Sequence, residues 1–110
     1  MQKPNYLELY TADVEAMKAF YSAVFGMEFT DYGPDYAGSS GGAVEIGIHR
    51  EDAVRPPLPG FQTDNLETAR ESVIDAGGEI LQEIYGFPGG RRFHFRDPGG
   101  NEMLYYIYEE

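Results

Sequence analysis

Chemistry has few places to sit in this chain. Its 110 residues hold two histidines, eight lysines and arginines, nineteen acidic residues and no cysteine. Without cysteine, disulfides, thiolate zinc sites and thiol catalysis are excluded. Three of the eight basic residues, Arg91, Arg92 and Arg96, share one six-residue window with His94. Histidine titrates near neutrality and a buried carboxylate is readily tuned, so Glu8 and His94 are candidates for an acid–base pair. A salt bridge from Glu8 to Arg92, or a ligand-holding role for these residues, takes precedence over catalysis, because perturbed ion pairs are often structural. If Glu8 does not neutralise it, Arg92 would clamp a carboxylate in a planar fork. The plainer reading of the arginine cluster is surface charge balancing nearby carboxylates. His49, followed by Arg50, Glu51 and Asp52, reads as an exposed strand-end residue with no metal partners nearby.

The elements that must position these residues come from periodicity. In Asn5 to Thr11, Leu7 and Leu9 alternate with Tyr6, Glu8 and Tyr10, the pattern of a half-buried strand with a polar, aromatic second face. A helix follows, with Val14, Met17, Phe20, Tyr21, Val24 and Phe25 at helical spacing; Met17, Phe20 and Phe25 are assigned to the core. Thr11 or Asp13 is the expected N-cap and Gly26 the closing glycine. A strand is expected from Met27 to Tyr32. The same grammar recurs from Leu58 to Ile80, where Asp64 opens a helix carrying Leu66, Ala69, Val73 and Ile74 and Gly77 closes it, an internal repeat of offset 51. Each half also ends on a glycine pair, Gly41-Gly42 or Gly99-Gly100, leading into an apolar strand. Each half therefore reads as β-α-β-β-β: a first module over residues 1–49, a proline-rich linker over 50–57, and a second module over 58–110.

Composition bounds the rest. Apolar residues at 42% and aromatics at 15% are enough for a core, so the chain is one compact domain built from two halves. A formal charge of −11 disfavours nucleic acid and favours a cationic ligand. No window approaches the roughly 20 apolar residues of a membrane span, and no basic-then-apolar leader is seen, so a soluble cytoplasmic protein without membrane contact is expected. The segment Asp31 to Ser40 carries Tyr32 and Tyr36 among glycines and serines, and reads equally as a lid or as a surface hairpin with half-buried tyrosines.

Three pieces together resemble the vicinal oxygen chelate superfamily, which includes glyoxalase I, bleomycin-resistance proteins, extradiol dioxygenases and fosfomycin-resistance enzymes. They are the helix Asp13-x6-Phe20-Tyr21-x3-Phe25-Gly26, the helix from Asp64 to Gly77-Gly78, and Phe95-Arg-Asp97-Pro98-x-Gly100-Asn101 before the last strand. The resemblance implies an α+β fold in which two tandem β-α-β-β-β modules form a half-open mixed-sheet cup with helices outside and the site inside. It also implies a homodimer. Asp97-Pro98-Gly99-Gly100 is a turn, with no catalysis assigned to Asp97.

Metal-using members of the superfamily hold an ion with four His, Glu or Gln side chains, one from each of four strands. Carried over, those positions fall on Tyr6, Ile46, Leu58 and Leu104, none of them a ligand for a divalent ion, so no metal and no other cofactor is expected. A mis-registered set such as Glu8, Glu45 and His94 is the rival. Strand alternation places Tyr6, Glu8, Tyr10, Gln62, Arg92, His94, Leu104 and Tyr106 on the cup face as ligand-binding candidates, with Glu8 and His94 the candidates for catalysis. The resulting expectation is a metal-free protein that binds or sequesters a small aromatic or cationic molecule, as bleomycin-resistance members do. The alternative is a lyase, isomerase or oxidoreductase of the same fold; the sequence leaves open whether the chain is catalytic.

Overall fold

The computed structural model describes residues 1–39 and 41–109. In chain order it has β1 (Tyr6–Thr11), α1 (Val14–Phe25), β2 (Thr30–Asp31), β3 (Tyr36–Ser39), β4 (Glu45–Arg50), β5 (Leu58–Gln62), α2 (Leu66–Asp75), β6 (Glu79–Phe87), β7 (Gly90–Arg96) and β8 (Glu102–Tyr108). This is an α+β fold in which strand, helix and three strands occur twice. The chain divides into two compact units, Asn5–Leu58 and Pro59–Glu110, the latter joined by Met1–Pro4. Gln2 holds those first residues: its amide donates to the Gln62 carbonyl and its oxygen accepts from the Tyr105 hydroxyl at 3.0 Å.

In the first module the strand order is β2-β3-β4-β1, with β4 parallel to β1 and antiparallel to β3. Asp13 starts α1, its carboxylate accepting from the Ala16 amide at 3.1 Å while Thr11 Oγ1 accepts from the Asp13 amide at 2.9 Å. A cap of this kind is worth about 1 kcal/mol. Gly26, at φ 70°, ends the helix in the left-handed region that favours glycine. Val14, Ala37 and Ile48 form the core, with Met17 and Phe29 packed against it. Phe20 and Phe25 do not join it; they are 56% and 63% exposed, and so is Val24 at 57%. The helix packs on β3 and β4, and a two-residue β2 leaves little strand surface under its C-terminal turns. The aromatic side chains there stack on one another instead, Tyr21 lying 5.2 Å from Phe20 and 5.8 Å from Phe25 between ring centroids. The expected strand from Met27 shrinks to Thr30–Asp31, because Met27 is tied to the helix end: its carbonyl accepts from Ser22 Oγ at 2.7 Å. The segment after it is an edge hairpin, closed by the Tyr32 amide donating to the Tyr36 carbonyl at 2.9 Å; Ser40 lies outside the described residues.

In the second module the order is β5-β8-β7-β6, β5 running parallel to β8 and β7 antiparallel to both of its neighbours. The cap of α2 is Asn65, not Asp64: Asn65 Oδ1 accepts from the Thr68 amide at 3.1 Å, and Thr63 Oγ1 accepts from the Asn65 amide at 3.2 Å. Thr63-x-Asn65 thus repeats Thr11-x-Asp13 at an offset of 52, and α2 is two residues shorter than α1, so its C-cap, Ala76, stands at an offset of 50 from Gly26 and Gly77 follows one residue later. Leu66, Ala69, Phe93 and Phe95 are its core, with Val73, Met103, Tyr105 and Ile107 packed around them. Ile74, expected on the same face, is 45% exposed. Asp97 organises the β7–β8 turn: Oδ1 accepts the Gly99 and Asn101 amides, each at 2.9 Å. No helix among the described residues is long and apolar enough to cross a membrane.

Candidate functional site

Alternation puts Leu7, Leu9, Ile46 and Ile48 on the face of the first sheet that meets α1, and Tyr6, Glu8 and Tyr10 on the helix-free face. Across the ladders Tyr6 stands opposite Glu45, Glu8 opposite Gly47, and both Tyr10 and Tyr36 opposite His49. Glu8 is 2% exposed. Its carboxylate accepts from the Tyr6 hydroxyl at 2.8 Å and from the Tyr10 hydroxyl at 2.6 Å. The Tyr6 and Tyr36 oxygens lie 3.0 Å apart. A hydroxyl has one proton, and Tyr6 spends its own on Glu8, so Tyr36 is the donor of that bond. Burying a lone carboxylate costs several kcal/mol. Hydrogen bonds to a charged group return about 1.5–3 kcal/mol each, which is how the sheet tolerates Glu8. Burial above all, then the Glu8 charge and the neighbouring Tyr36, hold the Tyr6 phenol far above its ordinary pKa, so it stays protonated.

Gly47 makes this network possible. A Cβ there would collide with the Tyr6 hydroxyl and sit 2.5 Å from the Tyr36 oxygen. His49, expected to be an exposed strand-end residue, is instead half-buried within β4, its ring edge-on to Tyr10 at 6.1 Å and to Tyr36 at 6.3 Å. The parallel pairing with β1 draws it inward, and its Nδ1 is buried with no hydrogen-bond partner. The Arg55 guanidinium, from the segment after β4, lies 4.7 Å from the Tyr10 ring centroid, a cation–π contact.

In the second module Phe93 and Phe95 point to the α2 core, and Arg92 and His94 to the helix-free face. His94 is 4% exposed. Its Nδ1 is 2.9 Å from a Glu102 carboxylate oxygen and its Nε2 is 2.8 Å from the Tyr85 hydroxyl. An ionised carboxylate can only accept, so Nδ1 carries the proton of the neutral ring and Nε2 accepts from Tyr85. Arg92 Nε donates to the same phenol oxygen, and the guanidinium lies 5.4 Å from the Tyr85 ring centroid. The other two arginines of the cluster serve the surface. Arg91 pairs with Glu109 and, at 2.6 Å, with Glu67, which in that order raise its pKa, and Arg96 pairs with Glu79 at 3.5 Å.

Leu104 is wholly buried, opposite Gly60 and His94. Tyr106, 4% exposed, stands opposite Gln62 and Arg92, with its ring edge-on to Tyr108 at 5.2 Å. Gln62 is exposed at the end of β5. Ile46 is corrected: it pairs with Leu7 and Ser39 and so lies on the α1 side. Superposing the two Thr-x-Asx caps matches Glu8 with Gly60, and their ladder partners are Gly47 and Leu104. The residue equivalent to Leu104 is therefore Gly47; equating the glycine pairs is one residue off because they enter their strands at different distances. Tyr85, Glu102, His49 and Gly47 were not among the expected site residues. Extending the alternation of Leu104, Tyr106 and Tyr108 backwards reaches Glu102. Tyr85 had no such signal, since the β6 register slips on both sides of Gln82.

The sequence model of the Glyoxalase/Bleomycin resistance protein/Dioxygenase superfamily matches residues 3–104. The chain belongs to this superfamily. A curated relative, "Putative glyoxylase CFP32" of Mycobacterium tuberculosis, is 24% identical over 110 residues, which cover 88% of this chain and 42% of that protein. The chain thus spans about two fifths of the length of that relative. Among solved structures, methylmalonyl-CoA epimerase from Mycobacterium tuberculosis superposes with a TM-score of 0.79 at 14% identity, covering 97% of this chain and 88% of that one. The Mn(II)-bound glyoxalase from Novosphingobium aromaticivorans gives 0.69 at 22%, covering 97% and 40%. These similarities establish the superfamily fold.

The residues at the superfamily's metal positions do not suit an ion. Leu58 and Leu104 have no lone pair, Gly47 has no side chain, and Tyr6 is a protonated phenol committed to Glu8. The space that a β4 ligand would need is filled by the Tyr6 and Tyr36 hydroxyls. Among the described residues no group of three or more His, Asp or Glu could hold a metal.

Proposed function

We propose that this member of the superfamily binds a small aromatic or cationic organic molecule on the helix-free faces of its modules without a chelated metal, in the manner of sequestering bleomycin-resistance members. The observation that carries the reading is a pair of buried ionisable side chains, Glu8 and His94, one on the helix-free face of each module and each held by tyrosines. A sheet face that served only for packing would carry apolar residues there, since burying polar groups costs free energy unless they are fully paired. The unsatisfied Nδ1 of His49, between two tyrosine rings, supports the same reading, because a buried nitrogen without a partner costs about 1–3 kcal/mol. The net charge of −11 favours a cation, and the tyrosine rings suit an aromatic or cationic group.

The test is calorimetric titration of EDTA-treated protein with phenethylamine, phenylpyruvate and 2-phenylethanol. Saturable binding of at least one probe is expected, weakened about tenfold or more by Glu8→Gln or by Arg92→Ala, a loss of about 1.4 kcal/mol. Absence of binding by all three, or binding indifferent to both substitutions, overturns the reading.

A further inference from the structure

The second module contains a line of four polar side chains that ligand holding alone does not require: the Glu102 carboxylate, the His94 imidazole, the Tyr85 phenol and the Arg92 guanidinium. We propose that Tyr85 is the proton-transfer residue of a metal-independent acid–base site, with His94 receiving its proton and Glu102 as the positioning residue that fixes the imidazole. This rests on the reading that the helix-free face of the second module meets a ligand.

Glu102 at 2.9 Å from Nδ1 selects the tautomer in which Nε2 is an acceptor, and the Tyr85 oxygen lies 2.8 Å from that nitrogen. A carboxylate, an imidazole and a hydroxyl in hydrogen-bonded sequence form the arrangement that activates a hydroxyl in unrelated folds. Here the hydroxyl is a phenol, a weak acid that needs a base and a nearby cation to give up its proton. His94 is the base, and Arg92, whose Nε–H already points at the phenol oxygen, is the cation that meets the developing phenolate. His94 is 4% exposed, so the imidazolium formed faces Glu102 more than water, whereas Tyr85 is only partly buried, the placement needed for a group that must reach a ligand.

The step balances. The Tyr85 O–H bond breaks and its proton goes to His94 Nε2, leaving a phenolate beside Arg92 and an imidazolium beside Glu102. The phenolate oxygen then takes a proton from an acidic C–H of the ligand, whose bonding electron pair stays on the ligand as an enolate when a carbonyl is adjacent. Return of the His94 proton to the ligand oxygen completes a tautomerisation in which nothing is oxidised or reduced. The ligand class is therefore a small carbonyl compound with an adjacent acidic C–H.

Two measurements test this. Long-range proton–nitrogen NMR of the wild type at neutral pH should give His94 as the Nδ1–H tautomer, and Glu102→Ala, which removes the acceptor, should abolish that preference while leaving the backbone spectrum folded. Keto–enol tautomerisation of phenylpyruvate in EDTA should be accelerated by the wild type. Tyr85→Phe should lose about 100-fold of the acceleration, as expected for removal of one acid–base group, with probe affinity changed less than threefold. Glu102→Gln should move the pH profile of the residual rate. An Nε2–H tautomer in the wild type, or a Tyr85→Phe rate equal to the wild type, overturns the proposal. Binding of phenylpyruvate without acceleration overturns it alone, whereas failure of every titrated probe to bind overturns the binding reading and this proposal with it.

Discussion

Gly47→Ala would push a methyl group into the place where the Tyr6 and Tyr36 hydroxyls meet. The Tyr6 hydroxyl is tied to Glu8 and to Tyr36, which leaves little room for relief, so the variant should be less stable by about 1–3 kcal/mol, the usual cost of overpacking. Urea denaturation measures it, and the double variant with Tyr36→Phe should lose less than the sum of the two single changes, because both act on one contact. At this scale the sequence was partly legible. Glu8, Tyr6, Tyr10, Arg92 and His94 stand on the helix-free faces because alternation along a strand depends on neighbours in sequence. Gly47 and His49 were not legible, since a glycine's importance lies in what a neighbouring strand puts above it, and a histidine's burial in which strand lies alongside.

The β7–β8 turn shows how an element hides its stabilising chemistry in a short motif. Asp97 collects the backbone amide of Asn101 first, then its side-chain amide and the amide of Gly99, and these hold its carboxyl below the ordinary carboxylate range. A carboxyl whose folded pKa is lowered adds stability that is present above its unfolded value, about 4, and is lost as the pH falls through the folded value. Asp97→Ala should therefore lower the thermal midpoint at pH 7, with a smaller gap to the wild type at pH 3, below the unfolded value. Calorimetry at the two pH values checks the sign, and a gap that is constant or widens on acidification would refute it. The motif Asp-Pro-Gly-Gly-Asn made this turn readable because each residue has one local job. Both helices were readable too, but with errors of a kind local patterns cannot avoid. Asn65 rather than Asp64 caps α2, a choice settled by Thr63 two residues earlier, and Phe20 and Phe25 are exposed because the strand beneath them is short. The bulged register of β6, which sets Tyr85 opposite Arg92, has no local signature.

For the whole molecule the duplication was the most legible feature, since two helices with matching caps, closing glycines and flanking strands leave a repeat in the sequence itself. What the repeat conceals is divergence: the first module uses tyrosines around a carboxylate, the second a histidine between a carboxylate and a phenol. Dialysis against EDTA should leave the thermal midpoint unchanged, and protein purified without chelators should carry less than stoichiometric zinc, manganese, nickel or iron by mass spectrometry. A midpoint that falls on chelation and recovers with one of these ions would contradict the donor set described above. The filling of Gly47's space by two phenols also bears on how the sequence can change over generations. A carboxylate introduced there would meet both hydroxyls, while loss of the Tyr6 hydroxyl alone would take a donor from buried Glu8. Each of these single steps toward a chelating set of donors is thus penalised before any ion could reward it, and the module resists acquiring one.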